Sequence, residues 1–145
     1  MRLIDTNAVL ALLRDDAPSQ SDVAHRALLE AAADDEPWVV AECVFAELTW
    51  VLESSYGAPR DFLVEVLGMV LESPNVRAWD PALATMALVI MAGDPRLDAV
   101  DALLAARART ADATILTFDG ALREAVIRPM SDTGHTITAE RRTRR

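Results

Sequence analysis

Lysine is absent from this sequence and cysteine nearly so: all 14 basic residues among the 145 are arginine, and Cys43 is the one thiol. A single cysteine excludes an internal disulfide and a cysteine-based zinc site, and we expect Cys43 to be a small buried hydrophobic residue. No apolar stretch approaches the roughly 18 residues that a membrane span needs, and the N-terminus shows no signal-peptide pattern. We therefore expect a cytoplasmic protein that has no membrane partner.

Basic charge is scarce relative to acidic charge. The 23 Asp and Glu residues give a formal net charge of -9 and a pI of about 4.6. Such a protein does not bind nucleic acid loosely by charge, which normally requires a basic surface. A nuclease is not excluded, because its metal-binding active site must itself be acidic. Arginines crowd the C-terminus, and we predict one domain over residues 1–130 and a polar, arginine-rich, disordered tail over residues 131–145.

Short apolar runs alternate with helical patterns along the chain, and 52% of the residues are hydrophobic. The runs at residues 3–4, 38–40, 76–79 and 114–118 predict strands, and the segments between them predict helices. This alternation is typical of a parallel sheet that helices cover on both faces. The sequence therefore predicts an α/β fold.

Two aspartates directly follow predicted strands. Asp5 ends the first apolar run and Asp119 ends the last one. In an open parallel sheet, ligands bind outside the carboxyl ends of the strands, so both carboxylates are candidates for a functional site. The alternative is that each aspartate only caps the helix that follows, although Thr6 or Asn7 could also cap the first helix. Both interpretations stay open from the sequence.

Glu47 interrupts the apolar side of a predicted helix. With 100° per residue, Glu42, Ala46, Thr49 and Glu53 share one stripe, which we predict to be the solvated face. Glu47 lies roughly 130° from that stripe by the same geometry. An ionised carboxylate among apolar neighbours needs a cation or a strong donor, so we expect either a metal ion or an arginine beside it.

Asp98 and Asp101 lie one turn apart at the start of an alanine-rich predicted helix. Helix starts favour acidic residues, and periodicity alone does not tell which aspartate points inward. Carboxylates that converge within about 4 Å would repel by roughly several kcal/mol, and Mg²⁺ or Mn²⁺ would relieve this repulsion. His25 and His135 lie elsewhere in the sequence, which argues against a histidine-zinc site.

These motifs, in this order, resemble those of the PIN-domain ribonucleases, and especially the VapC-like toxins of bacterial type II toxin–antitoxin pairs. The matching pieces are residues 3–7 (LIDTN), 46–48 (AEL), 100–106 (VDALLAA) and 116–119 (LTFD). The resemblance covers residues 1–129. It implies a PIN-like three-layer α/β/α sandwich with a short, mostly parallel central sheet.

The resemblance also assigns roles to individual residues. The implied catalytic quartet is Asp5, Glu47, Asp101 and Asp119. The implied metal ligands are Asp5, Asp101, Asp119 and, as an additional acid, Asp98. The supporting hydroxyl and amide groups would be those of Thr6, Asn7 and Thr117. Candidate contacts to substrate phosphates are Arg14, Arg60 and Arg96.

The activity implied by the resemblance is hydrolysis of RNA phosphodiester bonds by an endoribonuclease that uses one or two Mg²⁺, or alternatively Mn²⁺, ions. As a toxin, such a protein would inhibit translation or growth, form a homodimer and be held inactive by a small antitoxin protein. Two alternatives stay open. The chain could be a housekeeping PIN nuclease that processes RNA, or a PIN-like interaction module without catalysis, although none of the four acidic positions is lost.

Overall fold

The computed structural model describes residues 1–14 and 18–128, and within these ranges the chain forms three strands and seven helices. The strands are β1 (Arg2–Ile4), β2 (Trp38–Val40) and β3 (Val76–Ala78). The helices are α1 (Thr6–Leu13), α2 (Pro18–Ala33), α3 (Glu42–Tyr56), α4 (Arg60–Glu72), α5 (Pro81–Gly93), α6 (Ala99–Thr110) and α7 (Gly120–Ile127). The predicted tail, residues 131–145, lies outside the described residues, as do residues 129–130 of the predicted domain.

The three strands form one parallel sheet in the order β1-β2-β3. Ile4 lies opposite Val40 in the first pair, and Val40 lies opposite Ala78 in the second. Parallel neighbours need crossover connections, which α1 with α2, and α3 with α4, provide. The predicted α/β fold with a parallel sheet is confirmed, and the carboxyl ends of all three strands, including the one that leads into Asp5, meet at one edge.

The core is built from leucine, valine and alanine side chains. Leu48, Leu63 and Leu67 are each 1% exposed, and burying each such side chain contributes about 1.5–3 kcal/mol. Helix α6 packs against α3, α5 and α7 through buried alanines, whose small side chains permit close approach. Within the described ranges, no helix is long and apolar enough to cross a membrane.

One predicted strand does not form. Residues 114–118 make no strand in the structure, and Leu116 and Phe118 are 94% and 99% exposed. Ile115 packs only partly against the core. The Thr117 carbonyl, which a neighbouring strand would need as an acceptor, instead accepts a hydrogen bond from the Arg123 guanidinium at 2.9 Å. A pattern of β-branched and aromatic residues predicts a strand only where a pairing partner is in place.

Helix α3 ends at Gly57, which has a left-handed backbone with φ of 63°. The Gly57 N–H donates to the Glu53 carbonyl at 3.0 Å, and the next N–H, that of Ala58, donates to the Leu52 carbonyl at 3.1 Å. These bonds satisfy carbonyl groups that have no partner inside the helix. A residue with a Cβ would be strained here by its backbone, although no atom lies within 4 Å of the place that a Cβ would take.

Candidate active site

Asp5 stands at the carboxyl end of β1 and is the N-cap of α1. Its Oδ1 accepts a hydrogen bond from the Ala8 N–H at 2.8 Å, and the residue is exposed. The prediction that Thr6 or Asn7 caps this helix was therefore wrong. Asp5 has the extended backbone of a cap residue, and its short carboxylate reaches the third N–H of the helix. Asn7 is exposed in the first turn.

A hydrogen bond joins Thr6 to Glu47 across the fold. The Thr6 Oγ1 donates to the Glu47 Oε2 at 2.5 Å, and Thr6 itself is only 5% exposed. Glu47 thus lies beside the end of β1, although 41 positions separate it from Thr6 in the chain.

The sequence predicted that Glu47 lies on the apolar side of α3, and this prediction was wrong. The residue is exposed, whereas Thr49, which we expected on the solvated face, is 3% exposed and donates its hydroxyl to the Phe45 carbonyl. Cys43, expected to be buried, is also exposed. Apolar residues surround α3 on most sides, so their spacing did not locate the side that faces the core.

Asp98 and Asp101 form a reciprocal cap at the start of α6. The Asp98 Oδ1 accepts from the Asp101 N–H at 2.8 Å, and the Asp101 Oδ2 accepts from the Asp98 N–H at 3.4 Å. Asp98 is exposed and Asp101 is half-buried, so Asp101 is the inward residue of the pair. Burial raises the pKa of the Asp101 carboxyl, and the negative charges of Asp98 and Asp119 raise it further.

Asp119 is the N-cap of α7. Its Oδ1 accepts from the Ala121 N–H at 2.7 Å and from the Leu122 N–H at 3.1 Å. The Thr117 hydroxyl accepts a hydrogen bond from the Asp119 N–H at 3.0 Å, so Thr117 supports the backbone of Asp119 and not its carboxylate. The negative charge of Asp119 contributes to the raised pKa of Asp101, and α7 packs against α6.

The acidic residues fall into two groups. Asp5 and Glu47 lie at the end of β1 and on α3, whereas Asp101 has Asp98 and Asp119 as its negative neighbours. In residues 1–14 and 18–128, no three Asp, Glu, His or Cys side chains lie close enough together to hold a metal ion. The structure therefore does not bring the predicted quartet together as one set. It places the two groups on neighbouring elements, because α3 packs against α6.

Six acidic residues elsewhere in the described fold form ion pairs with arginine. Three arginines each pair with two acids: Arg2 with Asp34 and Glu36, Arg96 with Asp94 and Glu124, and Arg107 with Glu42 and Asp80. For the part of the chain that the structure describes, no such ion pair involves any of the five site carboxylates. Within residues 1–14 and 18–128, the arginines therefore form no ion pair that offsets the charge of these carboxylates.

The three arginines proposed as phosphate contacts are held by other groups. Arg96 donates to both oxygens of Asp94, at 2.9 and 2.6 Å, and lowers the pKa of that carboxyl to about 2. The Arg60 guanidinium donates to two main-chain carbonyls of the loop between α5 and α6. Arg14 lies over the Tyr56 ring, 5.3 Å from its centroid. The structure thus places these guanidiniums in intramolecular contacts.

Asp94 was not among the residues predicted from the sequence to be important. It is 9% exposed and, with Arg96, closes the turn between α5 and α6, just before Asp98. The available signal was the break after Gly93, where an aspartate precedes a proline and an arginine follows it. A buried aspartate at a helix end needs a cation, and the arginine two residues on provides it.

The fold is thus a parallel sheet with crossover helices, and acidic residues lie at the end of β1 and at the starts of α6 and α7. The family model for the PIN domain matches residues 2–127. The chain belongs to the PIN-domain family. PIN domains are generally metal-dependent nucleases, and a PIN nuclease would act on RNA. Searches of curated proteins and of solved structures find no match to the chain.

The residues of this PIN domain fit a hard divalent cation by their chemistry. Every candidate ligand is a carboxylate oxygen, which is the donor that Mg²⁺ and Mn²⁺ prefer. The raised pKa of Asp101 shows that burial and neighbouring negative charge disfavour its ionised form, which a bound cation would stabilise. Like charges repel, so a cation between the two acidic groups would lower the cost of holding them on neighbouring elements.

Proposed function

We propose that this PIN domain is a Mg²⁺-dependent endoribonuclease that hydrolyses RNA phosphodiester bonds. The observation that carries the proposal is the state of Asp101: a half-buried carboxylate with a raised pKa, next to two further acids. Asp94, which closes the turn before α6, is by contrast paired with Arg96. Negative charge that is left without such a pair supports a site for a cation.

The proposed ligands are Asp5, Asp101 and Asp119, with Asp98 beside them. They would hold one or two Mg²⁺, or alternatively Mn²⁺, ions. When bound, such an ion lowers the pKa of a water molecule and offsets the negative charge that develops at the phosphate. The chain's own contribution is to fix these carboxylates at helix starts, where backbone N–H groups hold Asp5, Asp98 and Asp119 in place.

Glu47 is proposed to act on the attacking water. Its Oε2 accepts a hydrogen bond from the Thr6 hydroxyl, which orients the carboxylate. Glu47 is exposed, and its carboxylate could accept a proton from a water molecule. Thr6 is thus proposed to support Glu47 as the general base. Thr117 is proposed to hold the backbone of Asp119 in position.

The biological role we propose is that of the toxin in a toxin–antitoxin pair, acting in the cytoplasm to inhibit translation or growth. This proposal is supported by the resemblance of residues 3–7, 46–48, 100–106 and 116–119 to VapC-like toxins. The proposed partners are a small antitoxin and a second copy of the chain. A basic antitoxin residue would find carboxylates there that form no ion pair with an arginine of the described residues.

The test compares the wild type with Asp101→Asn after induction in a bacterial host, with RNA ends sequenced from both cultures. Asp22→Asn serves as the matched control, because Asp22 is exposed on α2, away from the proposed ligands. We expect growth arrest and new RNA ends with the wild type and with the control, and neither with Asp101→Asn. The purified protein should cleave the RNA so identified with Mg²⁺ and not with a chelator.

The outcomes separate the alternatives. Cleavage without growth arrest would favour a housekeeping nuclease over a toxin. Identical RNA ends in all three cultures, together with no cleavage in vitro, would contradict the nuclease proposal and favour an interaction module.

A further inference from the structure

We propose that Arg60 is a positioning residue that holds the start of α6 and, through it, the carboxylates of Asp98 and Asp101. The inference rests on the proposed function, since the position of these carboxylates matters for a metal site. From the sequence, Arg60 was predicted only as a contact to substrate phosphate. In the structure, its guanidinium donates to main-chain carbonyls of the protein itself.

Arg60 reaches from α4 to the loop between α5 and α6. Its Nη1 donates to the Leu97 carbonyl at 2.5 Å, and its Nη2 donates to the Pro95 carbonyl at 3.3 Å. Leu97 is fully buried and directly precedes Asp98, the N-cap of α6. The planar guanidinium can hold two carbonyls at once, which a single ammonium group cannot do in the same way.

The contact continues to Asp101 through one peptide group. The Leu97 carbonyl and the Asp98 N–H belong to the same peptide, and that N–H donates to the Asp101 Oδ2 at 3.4 Å. A charged donor on the carbonyl polarises the peptide and strengthens its N–H as a donor. Arg60 therefore acts on the orientation of Asp101 without touching it.

The location of Arg60 supports a tertiary role. It is the first residue of α4, where the helix dipole disfavours a cation, so the local helix does not explain its presence. Within the same loop, Arg96 bonds to Asp94 and to Glu124 of α7. Two guanidiniums thus hold the loop that leads into α6, one from α4 and one linked to α7.

The experiment compares Arg60→Met and Arg60→Lys in the full chain. Arg26→Met is the matched control, because the Arg26 Nε also donates to a main-chain carbonyl, at 3.3 Å, but on α2. The first readout is hydrogen exchange of the Asp98 and Asp101 amides in metal-free protein. The second is the affinity for Mn²⁺ alone, measured calorimetrically without RNA.

We expect Arg60→Met to speed exchange of both amides and to weaken Mn²⁺ binding by about 10-fold, the effect typical of groups that orient ligands. Arg60→Lys should recover part of both effects, because its ammonium can still bond to the Leu97 carbonyl, and the control should change neither. Unchanged exchange and affinity in Arg60→Met, or equal changes in the control, would overturn the inference. A wild type that binds no Mn²⁺ would overturn the proposed metal site instead, while the exchange rates still decide whether Arg60 holds the start of α6.

Discussion

Replacing Asp101 with asparagine should stabilise the protein while it removes the proposed activity. Burial and the charges of Asp98 and Asp119 hold the pKa of Asp101 above its ordinary value of 3.8. The folded protein therefore binds this proton more tightly than the unfolded chain does. The contribution of Asp101 to the stability of the protein therefore falls as the pH rises from 3.8, the ordinary pKa of the unfolded chain, through the raised pKa of the folded protein. Above both pKa values the loss is complete. Asparagine has no charge to lose, so the variant avoids this penalty at pH 7.

The magnitude follows from the two neighbouring charges. Like-charge neighbours on a helix surface destabilise by about 0.2–0.5 kcal/mol each, and partial burial adds to this, so we expect a gain of about 0.5–1 kcal/mol at pH 7. In a chain of this size, that gain raises the melting temperature by about 2–4 °C. The Asn amide keeps an oxygen that can accept from the Asp98 N–H, so the cap of α6 is retained. Loss of a charged ligand should lower activity on the order of 100-fold or more.

The assay is thermal unfolding at pH 7 and at pH 3, with RNA cleavage measured on the same preparations. The stabilisation should shrink at pH 3, where the wild-type carboxyl is protonated. Asp61→Asn is the matched control: Asp61 is exposed in the first turn of α4, where a negative charge is favourable, so its loss should lower stability slightly. A destabilised Asp101→Asn variant at pH 7, or one that cleaves RNA as fast as the wild type, would refute the reasoning. Addition of Mg²⁺ should stabilise the wild type more than the variant.

Three further predictions concern other residues. Asp94→Asn should destabilise the protein at pH 7 by about 1–2 kcal/mol, allowing for the exposure of Arg96. In urea unfolding, the difference in stability between wild type and variant should vanish as the pH falls from 3.8 toward 2. A difference that stays constant with pH would contradict the Asp94–Arg96 pairing. Thr6→Val should lower kcat by about 10–100-fold, because it removes the hydroxyl that donates to Glu47. Thr6→Ser keeps a hydroxyl and should retain the wild-type kcat. Equal activity of the two variants would refute a role for the hydroxyl. Gly57→Ala should cost about 1–2 kcal/mol in urea unfolding without changing activity, because of its positive φ; an unchanged midpoint would mean that the helix end rearranges.

Much of the fold was predictable from local patterns. The three strands that form are short apolar runs, each separated from the next by helical segments, and a parallel sheet is the arrangement that such alternation favours. The positions of Asp5, Asp98 and Asp119 were also predictable, because an aspartate before a helix is a preferred cap. Such preferences depend on a few neighbouring residues, and the sequence contains them all.

The sequence could not predict which side of α3 faces the core or whether residues 114–118 pair as a strand. Apolar residues occur on most sides of α3, so only its contacts with α1, α4 and α6 decide that Thr49 is buried and Glu47 exposed. The segment 114–118 has the composition of a strand, but the Arg123 guanidinium occupies the Thr117 carbonyl. A strand and a helix face are both defined by partners distant in the chain.

The site shows the same division. By itself, the sequence determined which acidic residues are available and that Asp5, Asp98 and Asp119 precede helices. The tertiary structure alone decided that Asp101, and not Asp98, is half-buried, that Glu47 accepts from Thr6, and that Arg60 holds the loop before α6. The physical reason is that burial, charge–charge interaction and hydrogen bonding depend on distances in space, and these join residues that lie 41 and 37 positions apart in the chain.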